Sequence, residues 1–404
     1  MTNPIALTVL QLRLHGTVVG HLMRQASGST ALVFNPTWAN DPQRCALTLS
    51  GNAPHPAHAA LFKRPWFRPQ GLHPLLANLL PEAGLRPALA AHLQLSADDE
   101  IPLLTALGAA LPGGWQARAL AADEIPPGLL DFNARVSIMP PTAALPAALR
   151  SFAGSQPKQV TTSDQLLKLP TRPGQTRSEY SALQLARLAG VDCVDHALLP
   201  PDATSMQSPL AYIIDEPILA VQRFDRSSDG TPIHTEDFAQ VLFKPAQEKY
   251  TSCDAVQLGR LLYRYTPQGL KNVQEFARRL LMNVLLGNGD AHLKNWSLRY
   301  PDQHTAELAP AYDLAFTQPL GVTEHSLAIA GCSDWYALEF SHFDEWSRAV
   351  GVPWRAIRPA LLDTVERARA LWPGALEQLP MTETDKLLLR HHWKSLGKKL
   401  QYGL

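Results

Sequence analysis

The pattern of apolar and polar positions has a period of two at the start of the chain and a helical period further along. Apolar and polar residues alternate over positions 8–14, and the run ends at Gly16, which predicts a half-buried strand that enters a hairpin. From position 72 to position 95 apolar residues recur at helical spacing, interrupted by Pro81 and Pro87, so two short helices are expected. The first part of the chain is therefore predicted to combine sheet and helix in one module.

A second group of elements is predicted after the proline- and alanine-rich stretch that ends near position 149. QLLKLP at positions 165–170 is typical of a short strand, and a helix is expected from Ser178, which would be its N-cap, to Gly190. Strand-like runs at positions 212–214 and 218–221 surround a turn. The pattern predicts a strand, a helix and a hairpin in one lobe.

The clearest helical pattern lies in the last third of the chain. Apolar residues at positions 273, 276, 277, 280, 281, 284 and 285 form a complete stripe of the i, i+3, i+4, i+7 kind. The stripe runs into Gly287 and Gly289, so Asp290 and its neighbours are predicted to lie on a loop. Helices are also expected over positions 335–350, 354–371 and 382–400. We divide the chain into three predicted parts, residues 1–125, 126–265 and 266–404.

Composition narrows the class of protein. The 404 residues include 36 Lys and Arg against 36 Asp and Glu, so no whole-molecule charge would attract nucleic acid or an anionic membrane. Hydrophobic residues at 46% and charged residues at 18% indicate a folded chain. The four cysteines are too scattered for a disulfide framework. Because the sequence has no signal-peptide pattern and no apolar run of about 18 residues, we expect a cytoplasmic protein with no membrane partner.

The candidate chemistry is concentrated in the segment GNGDAHLKN at positions 287–295. It carries Asp290, His292, Lys294 and Asn295, and Asp313 follows 18 residues after Asn295. Phosphoryl transfer needs an acceptor for the proton of the attacking hydroxyl and oxygen ligands for Mg²⁺. Asp290 is suited to the first role, and Asn295 and Asp313 to the second. The spacing from Asp290 to Asn295 is that of the protein-kinase catalytic loop H-R-D-x-x-x-x-N.

Other parts of a kinase site precede this segment in the expected order. Lys168 lies in a predicted strand, where a kinase carries the lysine that holds phosphates. Glu179 lies at the start of the next predicted helix, where an acidic residue orients that lysine. The run ILAVQRF ends in Gln222, Arg223 and Phe224, whose backbone groups would form a hinge for adenine.

These motifs resemble those of the HipA-like serine/threonine kinases, which are toxins of bacterial toxin–antitoxin modules. The resemblance covers about residues 150–320 and extends into the first module. It is carried by AGSQPK (153–158), LLKLP (166–170), SEY (178–180), VQRFDR (221–226), GNGDAHLKN (287–295), APAYD (309–313), NLLPEAG (78–84) and LLTALG (103–108). It implies an α+β, two-lobed, protein-kinase-like fold with an additional N-terminal subdomain and a mostly helical C-terminal lobe.

The resemblance also implies that the chain transfers the γ-phosphate of ATP, with Mg²⁺, to serine or threonine. Asp290 would be the catalytic base, with His292 and Lys294 beside it, and Lys168 would bind phosphate. Asn295 and Asp313 would be the Mg²⁺ ligands. The family's phosphate-binding loop falls at positions 151–158, where the ATP-binding candidates are Ser151, Ala153, Gly154, Ser155, Gln156 and Lys158. Ser151 and Ser155 are the candidates for autophosphorylation, which would place negative charge where ATP phosphates bind.

The expected partners follow from the same resemblance. A small helix-turn-helix, HipB-like antitoxin would bind the chain and connect it indirectly to DNA. The expected substrate is a component of the translation machinery, with an aminoacyl-tRNA synthetase favoured. The first module is expected to pack on the small lobe and to shape the partner interface.

Several features leave other functions open. The loop at 151–158 lacks G-x-G-x-x-G, and Ala-Tyr-Asp replaces Asp-Phe-Gly before the predicted metal site, so a corepressor scaffold with a decayed nucleotide site is one alternative. A small-molecule kinase would share the same acidic set. A hydrolase metal site formed by His292 with Asp290, His304 and Asp313 is a further alternative, but no HExxH motif or fixed spacing of histidines supports it. Basic stretches at 63–68 and 390–399 are typical of solvated faces, with nucleic-acid contact as the alternative.

The key polar residues also have structural alternatives. Asp290 and Asn295 could cap the turn after the long helix. Glu179 could serve only to stabilise the first turn of its helix through the macrodipole.

Overall fold

The structure is a computed structural model of the whole chain. It describes residues 5–24, 27–52, 60–108, 111–129, 136–138, 156–161, 165–203, 212–251, 254–397 and 400. Within these ranges no helix combines the length and the apolar character needed to cross a membrane.

A six-stranded sheet forms the first module. Its central order is β4-β3-β2-β1-β5, and β6 pairs in parallel with the start of β1. The strands are β1 (Ile5–Leu14), β2 (Thr17–Arg24), β3 (Thr30–Phe34), β4 (Trp66–Arg68), β5 (Trp115–Ala119) and β6 (Val136–Ile138). The predicted hairpin is confirmed, because His15 and Gly16 join β1 to β2 with φ values of 49° and 75°, the geometry that a tight two-residue turn requires. The sheet extends past position 125 to β6.

Short helices cover this sheet. They are α1 (Pro36–Asn40), α2 (Leu49–Asn52), α3 (Pro74–Ala77), α4 (Leu85–His92) and α5 (Glu100–Leu107). The two helices predicted between positions 72 and 95 are α3 and α4, and a proline stands at the start of α3, where its missing N–H costs nothing. The alternation predicted in β1 is also confirmed, since Leu10, Leu12 and Leu14 are buried in the core of this module.

The second sheet has four strands in the order β7-β8-β10-β9. They are β7 (Lys158–Val160), β8 (Gln165–Lys168), β9 (His196–Leu199) and β10 (Ile218–Gln222), and helix α6 (Gln175–Leu188) follows β8. The predicted strand at 212–214 is wrong, because those residues are irregular or in a turn and β10 pairs with β9 instead. The apolar run at 212–214 has only three residues, which is too short to distinguish a strand from a connecting segment.

The predicted start of α6 is also wrong. The helix begins at Gln175 after Gly174, which has a φ of 71°, so Ser178 is a buried helical residue rather than the N-cap. The shift moves Glu179 beyond the first helical turn. Macrodipole stabilisation therefore does not account for a carboxylate at this position, because that effect falls off within the first turn.

The elements from β11 onward form the third part of the structure, which therefore also includes residues 234–265, before the predicted boundary at position 266. Helices α7 (Phe238–Val241), α8 (Ala255–Tyr265) and α9 (Gly269–Leu286) surround a small sheet of β11 (His234–Asp237), β12 (Ser297–Tyr300) and β13 (Glu307–Leu308). A hairpin, β14 (Glu324–Ile329) and β15 (Cys332–Asp334), precedes helices α10 (Phe340–Val350), α11 (Trp354–Gln378) and α12 (Glu383–Ser395). The stripe that predicted α9 is buried in the main core. The predicted helix at 335 begins only at Phe340, and Trp335 is fully buried before it.

The first module docks on the third part through buried polar contacts. The amide of Leu49 donates to Glu236 Oε1 at 2.7 Å, and Gln240 Nε2 donates to the Leu75 carbonyl at 2.8 Å. The amide of Gly113 donates to Asp225 Oδ2 at 2.8 Å. The module thus lies against residues 225–249 and the loop that follows α9.

Candidate active site

A cavity of about 530 Å³ lies where the three parts of the chain meet. Every site residue predicted from the sequence that the structure describes lines this one cavity. These residues are Gln156, Lys158, Lys168, Glu179, Gln222, Arg223, Phe224, Asp290, His292, Lys294, Asn295 and Asp313. Ser151, Ala153, Gly154 and Ser155 lie outside the described residues.

Lys168 is the centre of a buried charge cluster. Its ammonium donates to Glu179 Oε1 and to Asp313 Oδ1, so β8, α6 and the segment after β13 converge on one lysine. Burial disfavours the charged ammonium, but Asp313 and Glu179 outweigh it and raise the pKa of Lys168. Burial likewise opposes ionisation of Asp313, yet Lys168 and Lys158 lower its pKa to about 2. The cluster therefore holds Lys168 as a cation and Asp313 as an anion at neutral pH.

Lys158 stands beside this cluster. The Cα atoms of Lys158 and Lys168 are partners across the antiparallel pair of β7 and β8, and directly paired residues point to the same face of a sheet. Burial lowers the pKa of Lys158. Gln156 Nε2 donates to the Leu169 carbonyl at 2.9 Å, which ties the end of the predicted phosphate loop to β8. Two lysines therefore face the same side of the cavity.

The backbone of Asp313 adopts an uncommon conformation. Its φ is 53°, in the left-handed region that Asp and Asn tolerate better than other non-glycine residues. The preceding residue fixes this turn, because the Tyr312 hydroxyl donates to the Lys294 carbonyl at 2.9 Å and lies 2.6 Å from Ser297 Oγ. The Tyr312 ring packs against Phe224 with centroids 5.3 Å apart. This contact joins the predicted hinge to the predicted metal loop.

Two glycines allow the loop after α9 to turn into the cavity. Gly287 ends the helix with a φ of 60°, the left-handed C′ conformation that favours glycine. At Gly289 an added Cβ would lie 2.4 Å from the Glu324 carbonyl oxygen, so a larger residue would displace the loop. Thr317 Oγ1 accepts from the Gly289 amide and donates to the Gly287 carbonyl, both at 2.9 Å.

The loop carries both Asp290 and Asn295, and both residues line the cavity. Asn295 Nδ2 donates to the Asp290 carbonyl at 2.7 Å, and the Asp290 side chain is exposed. Its Oδ1 accepts a hydrogen bond of 2.6 Å from the hydroxyl of Tyr250, a residue that sequence reasoning missed. His292 is buried, and its Nδ1 has no hydrogen-bond partner among the described residues. Burial lowers the pKa of His292, and Lys249 adds to the effect.

Lys294 belongs to a second buried cluster. Its ammonium donates to Asp237 Oδ2 at 2.7 Å and to the carbonyl and side-chain oxygens of Asn78 at 3.1 and 3.0 Å. Glu82 Oε1 lies 3.3 Å away. Burial opposes ionisation of Glu82, but Lys294 and Lys249 outweigh it and lower its pKa. Asn78 and Glu82 lie in the NLLPEAG motif, so that motif could have directed attention to them, although it assigns them no role.

The predicted hinge combines an apolar wall with an internal ion pair. Leu166, Val194 and Val221 line this part of the cavity. The Gln222 amide already donates to the Asp195 carbonyl at 2.7 Å. The Arg223 guanidinium is turned toward Asp225, with hydrogen bonds of 2.8 and 2.7 Å. The Gln222 amide is therefore already paired with the neighbouring backbone and is not directed at the cavity as a donor.

No group of three or more His, Cys, Asp or Glu side chains in the described ranges is arranged to hold a metal by itself. Asn295 and Asp313 supply an amide oxygen and an ionised carboxylate at the same cavity. Mg²⁺ is usually bound through one or two carboxylates together with substrate phosphates. The two residues fit that mode of binding, in which a protein-only cage is not expected.

The fold and the arrangement of these residues define an α+β protein of the two-lobed, kinase-like class. The family model of the HipA-like C-terminal domain matches residues 143–372, and the model of the HipA N-terminal domain matches residues 10–117. The chain therefore belongs to the HipA-like family, as its motifs suggested.

Individual relatives agree with this assignment. "Putative kinase Y4dM" of Sinorhizobium fredii is 34% identical over 398 residues, which is 93% of each chain. "Putative kinase Y4mE" of the same organism is 30% identical over 348 residues, covering 76% of this chain and 77% of the relative. A HipA chain solved in complex with HipB and operator DNA, from Shewanella oneidensis MR-1, has a TM-score of 0.69 at 18% identity and covers 97% of this chain and 96% of its own. That likeness confirms the fold.

Proposed function

We propose that this protein is an ATP-dependent serine/threonine kinase of the HipA type. The observation that carries the proposal is the Lys168 cluster. Residues 168, 179 and 313 come from separate stretches of sequence, yet one ammonium bonds both carboxylates in the cavity that Asp290 and Asn295 also line. Kinases need such a lysine and acidic partner in place before they transfer phosphate.

The nucleotide would lie between the two lobes. Leu166, Val194 and Val221 offer an apolar surface for adenine, which is the usual lining of a ligand pocket. Lys168 and Lys158 would face the phosphates. The buried Nδ1 of His292, which has no partner among the described residues, would be satisfied by a phosphate oxygen, since a buried polar atom without a partner is costly.

Asn295 and Asp313 would hold Mg²⁺ against those phosphates. When bound, the ion supplies positive charge that neutralises the transferring phosphoryl group. This chain's own contribution is the ionised state of Asp313, which Lys168 and Lys158 maintain.

Asp290 would orient the acceptor hydroxyl and receive its proton. Its exposed carboxylate, on a loop fixed by Gly289 and Thr317, is placed where a protein chain could reach it. Catalysis would then rest on positioning and charge neutralisation. For Lys294 we propose a positioning role, because Asp237 and Asn78 already use its donors.

The proposed biological setting is a toxin–antitoxin module. The HipA of Shewanella oneidensis was solved with HipB and operator DNA, and family membership supports a HipB-like helix-turn-helix antitoxin as partner here. The proposed substrate is a translation protein, with an aminoacyl-tRNA synthetase favoured by family resemblance. Autophosphorylation at Ser151 or Ser155 is part of the same proposal.

The test is phosphate transfer by the purified full chain. We would incubate the wild-type protein with γ-labelled ATP and Mg²⁺, with and without a bacterial extract, and follow labelled proteins and intact mass. The wild type should label itself or an extract protein, and Asp290→Asn should lose this activity by roughly 10²-fold or more. Asp98→Asn, at an exposed site in the first module, is the matched control and should be unchanged.

Two results would contradict the proposal. Absence of ATP binding and of any phosphate transfer would favour a scaffold with a decayed site. Label that appears only in small molecules of the extract would favour a small-molecule kinase.

A further inference from the structure

The hydroxyl of Tyr250 is bound to the residue that the proposed reaction needs as its base. Tyr250 Oη donates to Asp290 Oδ1 at 2.6 Å, and the Tyr250 ring meets His292 edge-to-face with centroids 4.9 Å apart. Burial raises the pKa of Tyr250, and Asp290 adds to the effect, so the phenol keeps its proton and remains a donor. The geometry is that of a hydroxyl group held by a carboxylate acceptor.

An acceptor hydroxyl would make the same contact. In phosphoryl transfer the catalytic aspartate accepts the hydrogen bond of the attacking hydroxyl and then its proton. Each carboxylate oxygen accepts along two lone-pair directions, and Tyr250 Oη occupies one of those of Oδ1. A serine, a threonine or a water molecule that approaches Oδ1 along that direction therefore has to displace the phenol.

We propose that Tyr250 occupies the acceptor-hydroxyl subsite and must leave it before any acceptor is phosphorylated. The inference rests on the proposed function and names a further residue that controls access to the same site. Tyr250 would act as an acceptor-site residue that competes with the substrate, and it would not be a substrate itself.

The surroundings of Tyr250 would allow its side chain to rotate out of the acceptor-hydroxyl subsite. Tyr250 is 47% exposed, so rotation of its ring into solvent would expose little additional apolar surface. Tyr312, in contrast, is held by Ser297 and Lys294 through its hydroxyl. Lys249, next to Tyr250, is tied to Glu82 at 3.1 Å, and its ammonium lies 5.4 Å from the centroid of the Tyr250 ring. Departure of the phenol would therefore break this cation–π contact and the contact with His292 as well as the hydrogen bond to Asp290. A hydrogen bond to a carboxylate is strong enough to compete with a weakly bound acceptor.

The subsite has a defined boundary. Tyr250, His292 and Asp290 line the cavity together with Glu82 of the first module. A protein acceptor that replaces the phenol would therefore pass beside the Lys249–Glu82 ion pair, so both the first module and the kinase body would touch it.

The experiment uses water as the acceptor, because no protein substrate has to be known. We would measure ADP release from Mg·ATP by the full-length wild type, Tyr250→Phe and Tyr263→Phe. Tyr250→Phe keeps the ring and removes only the hydroxyl. Tyr263 is also exposed, at 38%, and lies on α8 away from the cavity, so Tyr263→Phe is the matched control.

The expected result is a severalfold rise in ADP release for Tyr250→Phe with an unchanged KM for ATP, and no change for Tyr263→Phe. With dephosphorylated casein as a probe acceptor, Tyr250→Phe should lower the KM for casein. Adding Asp290→Asn to Tyr250→Phe should abolish the gain, since the freed carboxylate is its source. Thermal melting of each variant would show that it is folded.

Three results would overturn the inference. If ADP release depends on Asp290 but is equal or slower in Tyr250→Phe, Tyr250 supports the base rather than competing for it, and the proposed function stands. Phosphate mapped to Tyr250 would show that the phenol is itself the acceptor. If Asp290→Asn changes nothing in any variant, the proposed function fails and this inference fails with it.

Discussion

Two buried lysines in the wall of the same cavity differ in what surrounds them. Lys168 is 4% exposed and Lys294 is 8% exposed, and each lies between two carboxylates. Lys168 bonds Glu179 and Asp313, which both line the cavity. Lys294 bonds Asp237 and two oxygens of Asn78, and Asn78 belongs to the first module.

The two lysines differ in how many hydrogen-bond donors of their ammonium groups are already bound to the protein. An ammonium group has three donors. The contacts to Asp237 and Asn78 use all three donors of Lys294, whereas Glu179 and Asp313 use two of Lys168. Asp313 is also 36% exposed at its side chain, so a phosphate or a metal ion can approach it. Lys168 therefore suits ligand binding, and Lys294 suits attachment of the first module to the catalytic loop.

Replacement of Lys294 should have the largest effect on stability. Lys294→Met would leave the buried carboxylate of Asp237 without the ammonium that it bonds and Glu82 with Lys249 alone, and a broken buried pair costs about 3–5 kcal/mol. Chemical denaturation should show that loss in the free energy of unfolding. Lys271→Met, at an exposed position on α9, is the control and should change stability little. Normal stability of Lys294→Met would remove the distinction between the two lysines.

Replacement of Lys168 should act mainly on the ligand. Lys168→Met should weaken ATP binding by roughly 10-fold to 100-fold, as expected for loss of a charge-assisted contact of about 1.5–3 kcal/mol. Calorimetric titration with Mg·ATP measures this change. The melting temperature should fall less than in Lys294→Met, because Asp313 can be hydrated from the cavity and burial, which raises the pKa of Glu179, favours the neutral form of that carboxyl once the ammonium is gone. Unchanged ATP affinity would place the phosphates elsewhere.

Truncation of Asn78 tests the same contact between Lys294 and the first module, at the residue that the first module contributes. Asn78→Ala removes the side-chain oxygen that accepts a hydrogen bond from Lys294. It also removes the side-chain amide that donates to the Lys244 carbonyl at 2.8 Å. We expect a loss of roughly 1–3 kcal/mol in the free energy of unfolding, since buried partners would be left unsatisfied. Protease cleavage within the first module should also become faster. A variant as stable as the wild type would show that the contact is dispensable.

The module interface should also show a pH dependence of stability. Glu236 accepts hydrogen bonds from the Leu49 amide and Tyr300, and burial raises its pKa from 4.5 to about 7. A raised pKa in the folded state means that this contribution to stability is fully present below pH 4.5 and is lost as pH rises through about 7. Melting curves should show the loss for the wild type. Glu236→Gln should remove this part of the pH profile, and an unchanged profile would contradict the assignment.

The sequence predicted the parts of the candidate site that depend on local pattern and motif order. The buried stripe located α9, the glycines located the loop, and the order of motifs brought Lys168, Glu179 and Asp313 into one cluster. The helix start at Ser178 was wrong because a left-handed glycine at 174 begins the helix, and a conformation of that kind leaves little trace in hydrophobic periodicity.

Contacts between distant residues to which the sequence assigned no common role could not be predicted. Asn78 and Lys294 are 216 residues apart, and no local pattern indicates which module an ammonium will bond. Tyr250 was missed for a similar reason, since a lone tyrosine 40 residues before Asp290 carries no signal of its own. Lys158 was assigned to a loop, but the structure pairs it with Lys168 across two strands.

The most direct test of the account is covalent labelling with an acyl-phosphate derivative of ATP, which acylates lysines that lie against bound phosphates. The labelled full chain would be digested and mapped by mass spectrometry, with and without excess Mg·ATP. The account predicts label on Lys168 or Lys158, removed by competing Mg·ATP, and none on Lys294. Label on Lys294, or label on Lys168 that Mg·ATP does not reduce, would contradict it.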